Sequence, residues 1–431
     1  MSDGAAPGDW LNSRLEEALD AAAPLARLFE AAGHHLYFVG GVVRDSLLDI
    51  GRAESDLDAT TAARPDEIKK LVAELADAVW TQGERFGTIG CRIGGRVYEI
   101  TTHRAEQYQP GSRKPVVAFG DSLEEDLSRR DFTVNAMAVD VLERELVDYW
   151  GGEKDLRDRV LRTPLDPIVS FSDDPLRMLR AARFHAGYNL EPVAPLVAAL
   201  SSMNDRIEIV SAERKRDELE RILMLAEPGP GLQMLFESGL LAKVLPRIDL
   251  RDAKQVASAG GRVASVRASV AHRWAALIDD PTLASVQLSE LKVPGAVVSD
   301  VVTLLRMAGR ADEVDSSTPS GVRRLAALGN GRVVLEDAID WAKAKATAMN
   351  SPIERFDTMA ATLKGLRLNE PDLDSPSVGL DGNEICRELG IEPGVDVGRA
   401  IAWLRQIRIN EGIVSKEQLR LRLSTWWSEH S

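Results

Sequence analysis

Cysteine is almost missing from the 431 residues: only Cys91 and Cys386 occur, far apart in the chain. That excludes a disulfide framework and a cysteine zinc site. Long apolar runs are missing as well. No stretch of about 18 apolar residues is available to cross a bilayer, and no charged-then-apolar leader stands at the amino end. We therefore expect a soluble, cytoplasmic protein. Excess positive charge is also absent. The formal net charge is −14, which disfavours indiscriminate coating of nucleic acid because the whole particle repels it. It leaves room for a local basic surface, and arginine and lysine crowd between Arg177 and Arg221.

What is present suffices for several packed modules. Apolar residues make up 44% of the chain, the usual share for a globular core, and the length exceeds that of one ordinary domain. Apolar positions from Trp10 to Gly33 follow helical spacing, and Gly33 is a plausible stop. Strand-like runs follow at 36–41, 56–61, 88–93, 96–102 and 135–141, with a helix expected over 65–78. Beyond Thr163-Pro-Leu-Asp-Pro167 the strand signal nearly vanishes. Helical periodicity then runs to the end, broken near 227–231, 260–261, 316–321 and 372–382.

Asp56 and Asp58 sit two apart in ESDLDATT, so on an extended chain both point to one side. Two carboxylates so placed repel unless a cation lies between them, and oxygen-only ligands suit magnesium. A turn or helix-cap motif would use the same residues. Upstream, the strand YFVGG runs into VVRDSLL. Gly40 and Gly41 let backbone amides approach a ligand closely, and the following helix start favours an anion.

The ordered segments VGGVVRDSLL, ESDLDATT, GERFGTIG, YEITTHR, LEEDLSRRDFTVNAMA, DYWGGEKDLRDRVLRT and DDPLRMLRAARF resemble the class II tRNA nucleotidyltransferases and their bacterial poly(A) polymerase relatives. They cover residues 36–187 almost continuously, with weaker likeness through SAERKRDELERIL and GLLAKVLP. The resemblance implies an α+β fold: a polymerase β-like nucleotidyltransferase head with a mixed sheet, then an all-α neck, body and tail. The expected pieces are an N-terminal helix (1–33), the head (34–162), a neck carrying a nucleotide template (163–231), a body (232–330) and a tRNA-binding tail (331–431).

By the same resemblance, Asp56 and Asp58 bind Mg2+, and Gly41 and Arg44 hold nucleotide phosphate and sugar. Arg130 and Asp131 contact the incoming CTP or ATP, while Arg129 is structural or lies on the triphosphate rim. Glu99 is either a further catalytic acid or an ordinary solvent-facing strand glutamate. In DDPLRMLRAARF, Asp174 and Arg177 are expected three apart on one helix face, continued by Arg180 and Arg183. An accepting carboxylate beside a donating guanidinium matches the amine and ring nitrogen of cytosine or adenine and mismatches uracil and guanine. Asp173 stands where the family usually has Glu.

The implied activity is addition of C, C and A to the 3′ end of tRNA without a nucleic-acid template. The alternatives are a poly(A) polymerase and a catalytically silent RNA-binding relative. An acid in Gly83-Glu-Arg-Phe86 and the loop 104–117 tilt toward C-C-A addition. Some relatives carry an HD phosphohydrolase domain, whose clustered ligands the body does not offer, since His272 stands alone there. In the tail, Gly390, Gly394 and Gly398 frame a turn that could receive RNA phosphate or simply close a helical hairpin with Ile401, Leu404 and Ile407 in its core.

Overall fold

The computed structural model describes residues 12–50, 56–107, 116–311, 315, 318–329 and 331–430. The chain forms two compact units that divide between Ile209 and Val210.

In the first unit the order is α1 (Ser13–Ala31), β1 (Tyr37–Val39), α2 (Gly41–Leu47), β2 (Leu57–Thr61), α3 (Pro65–Val72), β3 (Ala78–Trp80), β4 (Thr88–Ile93), β5 (Arg96–Thr102), β6 (Arg104–Gln107), β7 (Val116–Phe119), α4 (Leu123–Ser128), β8 (Ala138–Asp140) and β9 (Leu146–Val147). Then come α5 (Gly152–Arg157), β10 (Val160–Leu161), α6 (Pro167–Asp173), α7 (Arg177–Tyr188), β11 (Glu191–Pro192) and α8 (Ala194–Ser202). Seven strands form one mixed sheet in the order β3-β4-β5-β2-β1-β8-β9. β2 and β5 run parallel, with Asp58 opposite Glu99, while the other neighbours are antiparallel. Around the two acids the neighbours turn inward: Leu57, Ala59, Tyr98 and Ile100 are buried, while Asp58 and Glu99 are exposed. The period of 2 thus places both acids on the open side.

Several expectations shift. The helix expected over 65–78 stops at Val72, because the Asp77 amide donates to the Arg92 carbonyl and starts β3. The strand expected over 135–141 shrinks to β8, since residues 133–135 form a 3₁₀ turn. Of the loop 104–117, residues 108–115 lie outside the described residues, and its flanks pair as β6 and β7. Asp174 does not lie on the helix with Arg177. It holds an extended backbone (φ −141°, ψ 99°), and α7 begins only at Arg177. Pro175 explains this, because its ring disfavours helical dihedrals at the preceding residue.

The second unit is helical throughout: α9 (Ala212–Leu223), α10 (Gly229–Glu237), α11 (Leu240–Val244), α12 (Ala253–Ser265), α13 (Val270–Ile278), α14 (Pro281–Glu290), α15 (Gly295–Arg310), α16 (Pro319–Ala326), α17 (Leu335–Ala348), α18 (Glu354–Asn369), α19 (Gly382–Leu389), α20 (Val395–Glu411) and α21 (Lys416–His430). The division between the units falls within the stretch expected as the neck. β10 and β11 pair in parallel as a separate two-stranded sheet, and α6–α8 fall within the first unit. A charge cluster ties α16 to the end of α18 and to α20: Arg323 meets Glu370 at 2.8 Å, and Arg408 bridges Glu370 and Asp372. All of these side chains except that of Asp372 are nearly buried, so a break here would strand charges away from water. The tail hairpin closes on Leu380, Ile385, Leu404, Ile407 and Leu423, with Ile401 against them. Among the described residues, no helix is long and apolar enough to cross a membrane.

Candidate active site

The site begins at the β1–α2 junction. Gly40 has φ 71°, a left-handed conformation that suits glycine. A β-carbon built on it would come within 3.4 Å of Arg130 Nη1 and 3.8 Å of Asp58 Oδ2. The bare backbone turn therefore lies beside a guanidinium and a carboxylate. Asp56 precedes β2 with Asp58 two residues on, and Glu99 stands opposite Asp58 on β5.

Asp58 is open to solvent at its tip, yet its carboxyl pKa is raised. The surrounding protein is the largest cause. Glu99 and Asp56 add to the rise, and Arg130 opposes it. Asp58, with Asp56 and Glu99 close enough to raise its proton affinity, belongs to an all-oxygen donor set suited to a hard divalent cation. The three acids do not form a closed cage: among the described residues no three acid, histidine or cysteine side chains converge as a metal site. Arg130 donates through Nη2 to Asp126 at 3.2 Å, while its buried Nε has no partner. A buried donor left unpaired is costly, and an anionic ligand at this mouth would supply an acceptor.

Three consecutive residues, Arg129, Arg130 and Asp131, reach in three directions. The Arg129 carbonyl accepts from Arg177 Nη2, and Arg177 Nη1 also donates to the Ser170 hydroxyl at 2.8 Å. Arg130 faces Gly40 and Asp58. Asp131 is buried and accepts from Arg180 Nε at 2.8 Å and Nη2 at 2.5 Å. It also accepts from Asn135 Nδ2 and the Phe132 amide, each at 2.9 Å. Burial alone would push the Asp131 carboxyl up, but Arg180, Asn135 and the Phe132 amide outweigh it and hold the pKa at about 2.

Arg44 continues the same network. It is buried, donating to Asn135 Oδ1 at 2.5 Å, to the Tyr188 hydroxyl at 2.6 Å and to Asp45 at 2.8 Å. Its guanidinium carbon lies 4.3 Å from the Tyr188 ring centroid. The side chain expected to hold nucleotide phosphate is therefore engaged by protein, and it braces α2 against α7. Arg180 is likewise committed to Asp131. Arg183 lies over the Phe184 ring at 4.7 Å. Asp174 Oδ1 accepts from the Leu176 amide at 3.1 Å, and the Asp174 carbonyl accepts from the Arg177 amide, so a turn brings the two residues together where a helix was expected.

Asn135 and Tyr188 did not emerge from the sequence. Asn135 lies in NAMA, where a strand reading hid its side chain, and Tyr188 is 144 positions from the arginine it meets. His272 is buried at the start of α13. Its ring nitrogen Nδ1 sits 2.7 Å from the Ser269 hydroxyl, and its carbonyl accepts from Trp341. Burial lowers its pKa, so it packs as a neutral core residue.

Residues 36–162 match the family described as Poly A polymerase head domain, and residues 192–251 the one described as Probable RNA and SrmB- binding site of polymerase A. The CCA-adding enzyme of Bacillus velezensis is 33% identical over 338 residues, covering 77% of this chain and 83% of that protein. That of a Geobacillus species (strain WCH70) is 31% identical over 413 residues, covering 94% and 96%. The crystal structure of the Bacillus stearothermophilus CCA-adding enzyme in complex with CTP superimposes with a TM-score of 0.75 at 25% identity, over 97% of this chain and 99% of that one. With an acid-bearing mixed sheet and relatives matched over nearly their whole length, the chain belongs to the CCA-adding enzyme family.

Proposed function

We propose that this chain adds C, C and A in turn to the 3′ end of tRNA, taking CTP and ATP and using its own side chains in place of a nucleic-acid template. The observation that carries the reading is the meeting of Asp58, Glu99 and Arg130 around the bare Gly40 turn. The 3′-hydroxyl oxygen bonds to the α-phosphorus, the bond to the β-phosphate breaks, and pyrophosphate leaves. Asp56 and Asp58 would hold magnesium, with Glu99 beside them. When bound, such an ion supplies Lewis-acid polarisation of the phosphoryl group and offsets the charge that builds up. Arg130 orients phosphate oxygens through a fixed fork. Gly41 contributes backbone at the helix start, and Arg44 contributes the brace beneath it. The work belongs in the cytoplasm, with the tRNA pool.

Labelled CTP and ATP offered with tRNA lacking its terminus test this directly. Growth should stop after three nucleotides on tRNA and should fail on unrelated RNA of equal length. Long A tracts on either RNA would make the chain a poly(A) polymerase, and no incorporation would make it a silent relative.

Base choice rests on Asp174 and Arg177. Asp174→Ala removes the acceptor for the amine of C or A, a charged hydrogen bond of about 1.5–3 kcal/mol, so discrimination against U and G should fall roughly ten- to a hundredfold. Incorporation of each of the four nucleotides onto tRNA ending in CC measures it. Wild-type preference in the variant would rule out the template role. Asp173→Ala should have the milder effect, since that side chain would orient the pair without reading the base.

A further inference from the structure

A cavity of about 480 Å³ opens in the helical unit, among α13, α15, α17 and α18. Four cations line it, Arg306, Arg310, Lys345 and Arg355, against one carboxylate, Asp279. In a chain of net charge −14 this is a marked local reversal. Lys345 holds both Asp279 oxygens, at 2.5 and 2.7 Å, so that pair is internally balanced. Arg306 and Arg310 are exposed and have no acidic partner among the described residues. They lie four apart on α15, hence on one face. Arg310 sits in the last turn, where it also complements the helix dipole, but Arg306 is a turn earlier and beyond that effect. The floor is apolar, formed by Leu305, Ala342 and Phe356, and the Trp341 wall is fixed by its hydrogen bond to the His272 carbonyl.

We propose that this cavity is a second nucleotide-binding site, separate from the head cleft. Arg306 and Arg310 grip a phosphate, and the sugar and base lie against the apolar floor. Guanidinium forks match phosphate oxygens in pairs, and the volume falls in the range of small-ligand pockets, about 300–1,000 Å³. The ligand chemistry, a phosphate on an apolar-faced nucleoside, is shared by a free nucleotide and by one unstacked residue of RNA. The RNA arm rests on the reading above, whereas the free-nucleotide arm does not.

The test uses the full chain and its Arg306→Ala/Arg310→Ala and Arg306→Lys/Arg310→Lys variants. Calorimetry with ATP reads the first arm. If the ligand is free nucleotide, the wild type should bind two per chain and the alanine pair one. Filter binding of tRNA at several salt concentrations reads the second. If the ligand is RNA, the alanine pair should raise Kd about tenfold and reduce the log–log salt slope by about 1 in all, since the two arginines share one phosphate. The lysine pair, which keeps the charge, should lie within about threefold of wild type in whichever arm responds. The proposal is overturned if the alanine pair matches wild type in both arms. It is also overturned if its losses track a fall in melting temperature shared by the lysine pair. Failure of nucleotide addition would sink the preceding reading and with it the RNA arm, whereas two-site ATP binding that the alanine pair halves would still establish this site.

Discussion

Asp58→Ala should cut nucleotide incorporation by roughly a thousandfold or more while tRNA affinity stays near that of the unaltered chain. Asp58 sits where β2 meets the Gly40 turn, with Glu99 opposite and Arg130 alongside. The carboxylate contributes to the reaction only through what it holds, and that charge stabilisation amounts to several kcal/mol. At about 1.36 kcal/mol per factor of ten, the loss reaches three decades. Asp56→Ala should behave alike. Glu99→Gln separates two roles: a loss near that of Asp58→Ala marks Glu99 as a ligand, and a loss of a few fold marks it as a neighbour that only tunes Asp58. Single-turnover incorporation of labelled CTP, beside filter binding of tRNA, gives both quantities. An Asp58→Ala variant retaining a tenth of the activity would remove the acid pair from the reaction.

The second large effect is expected at Asp131, and it concerns stability before catalysis. Its carboxylate is buried and joins Arg180 on α7 to Asn135, which in turn binds Arg44 on α2. Removing one partner of a buried pair leaves the other charge uncompensated, at a cost of roughly 3–5 kcal/mol. Because Arg180 keeps some exposure, we expect the lower end, about 3 kcal/mol, for Asp131→Ala. Adding Arg180→Ala should cost much less than a separate second loss, since the two form one interaction.

The pH signature has a definite sign. Asp131 titrates at about 2 in the folded chain, below its ordinary 3.8. Its contribution is therefore complete above pH 3.8 and disappears as pH falls through 2. Denaturant melts of the unaltered chain should lose about 2 kcal/mol between pH 4 and pH 2 that the alanine variant does not lose. Identical pH profiles, or strict additivity in the double variant, would show that Asp131 is not the joint.

Much of this was legible in the sequence where one local rule governs. β4 and β5 fall on the strand-like runs at 88–93 and 96–102. The acid pair was visible through its spacing, and Gly40 and Gly41 through the strand-to-helix junction. Less was visible where distant partners decide. Residues 73–77 carry helical composition, yet pairing of Asp77 with Arg92 takes the chain into β3. By resemblance Arg44 reads as a phosphate and sugar contact, and Arg180 as a continuation of the template face. Only the folded chain reveals Asn135, Tyr188 and Asp131 as the groups that already occupy them. The non-helical backbone of Asp174 was within reach, since Pro175 announces it.

The tripeptide Arg129-Arg130-Asp131 has a consequence for how this protein can change over generations. Its carbonyl, its guanidinium and its carboxylate serve three different neighbours: Arg177, the Gly40 turn and Arg180. Each duty depends on the residue's place in a fixed count along the backbone, so a substitution disturbs one duty while a single inserted or deleted residue reassigns all three. The segment can drift in chemistry one position at a time, but its length is frozen. Lineages of this fold should therefore vary in size around the segment, as the hairpin β6–β7 permits, and keep the count within it.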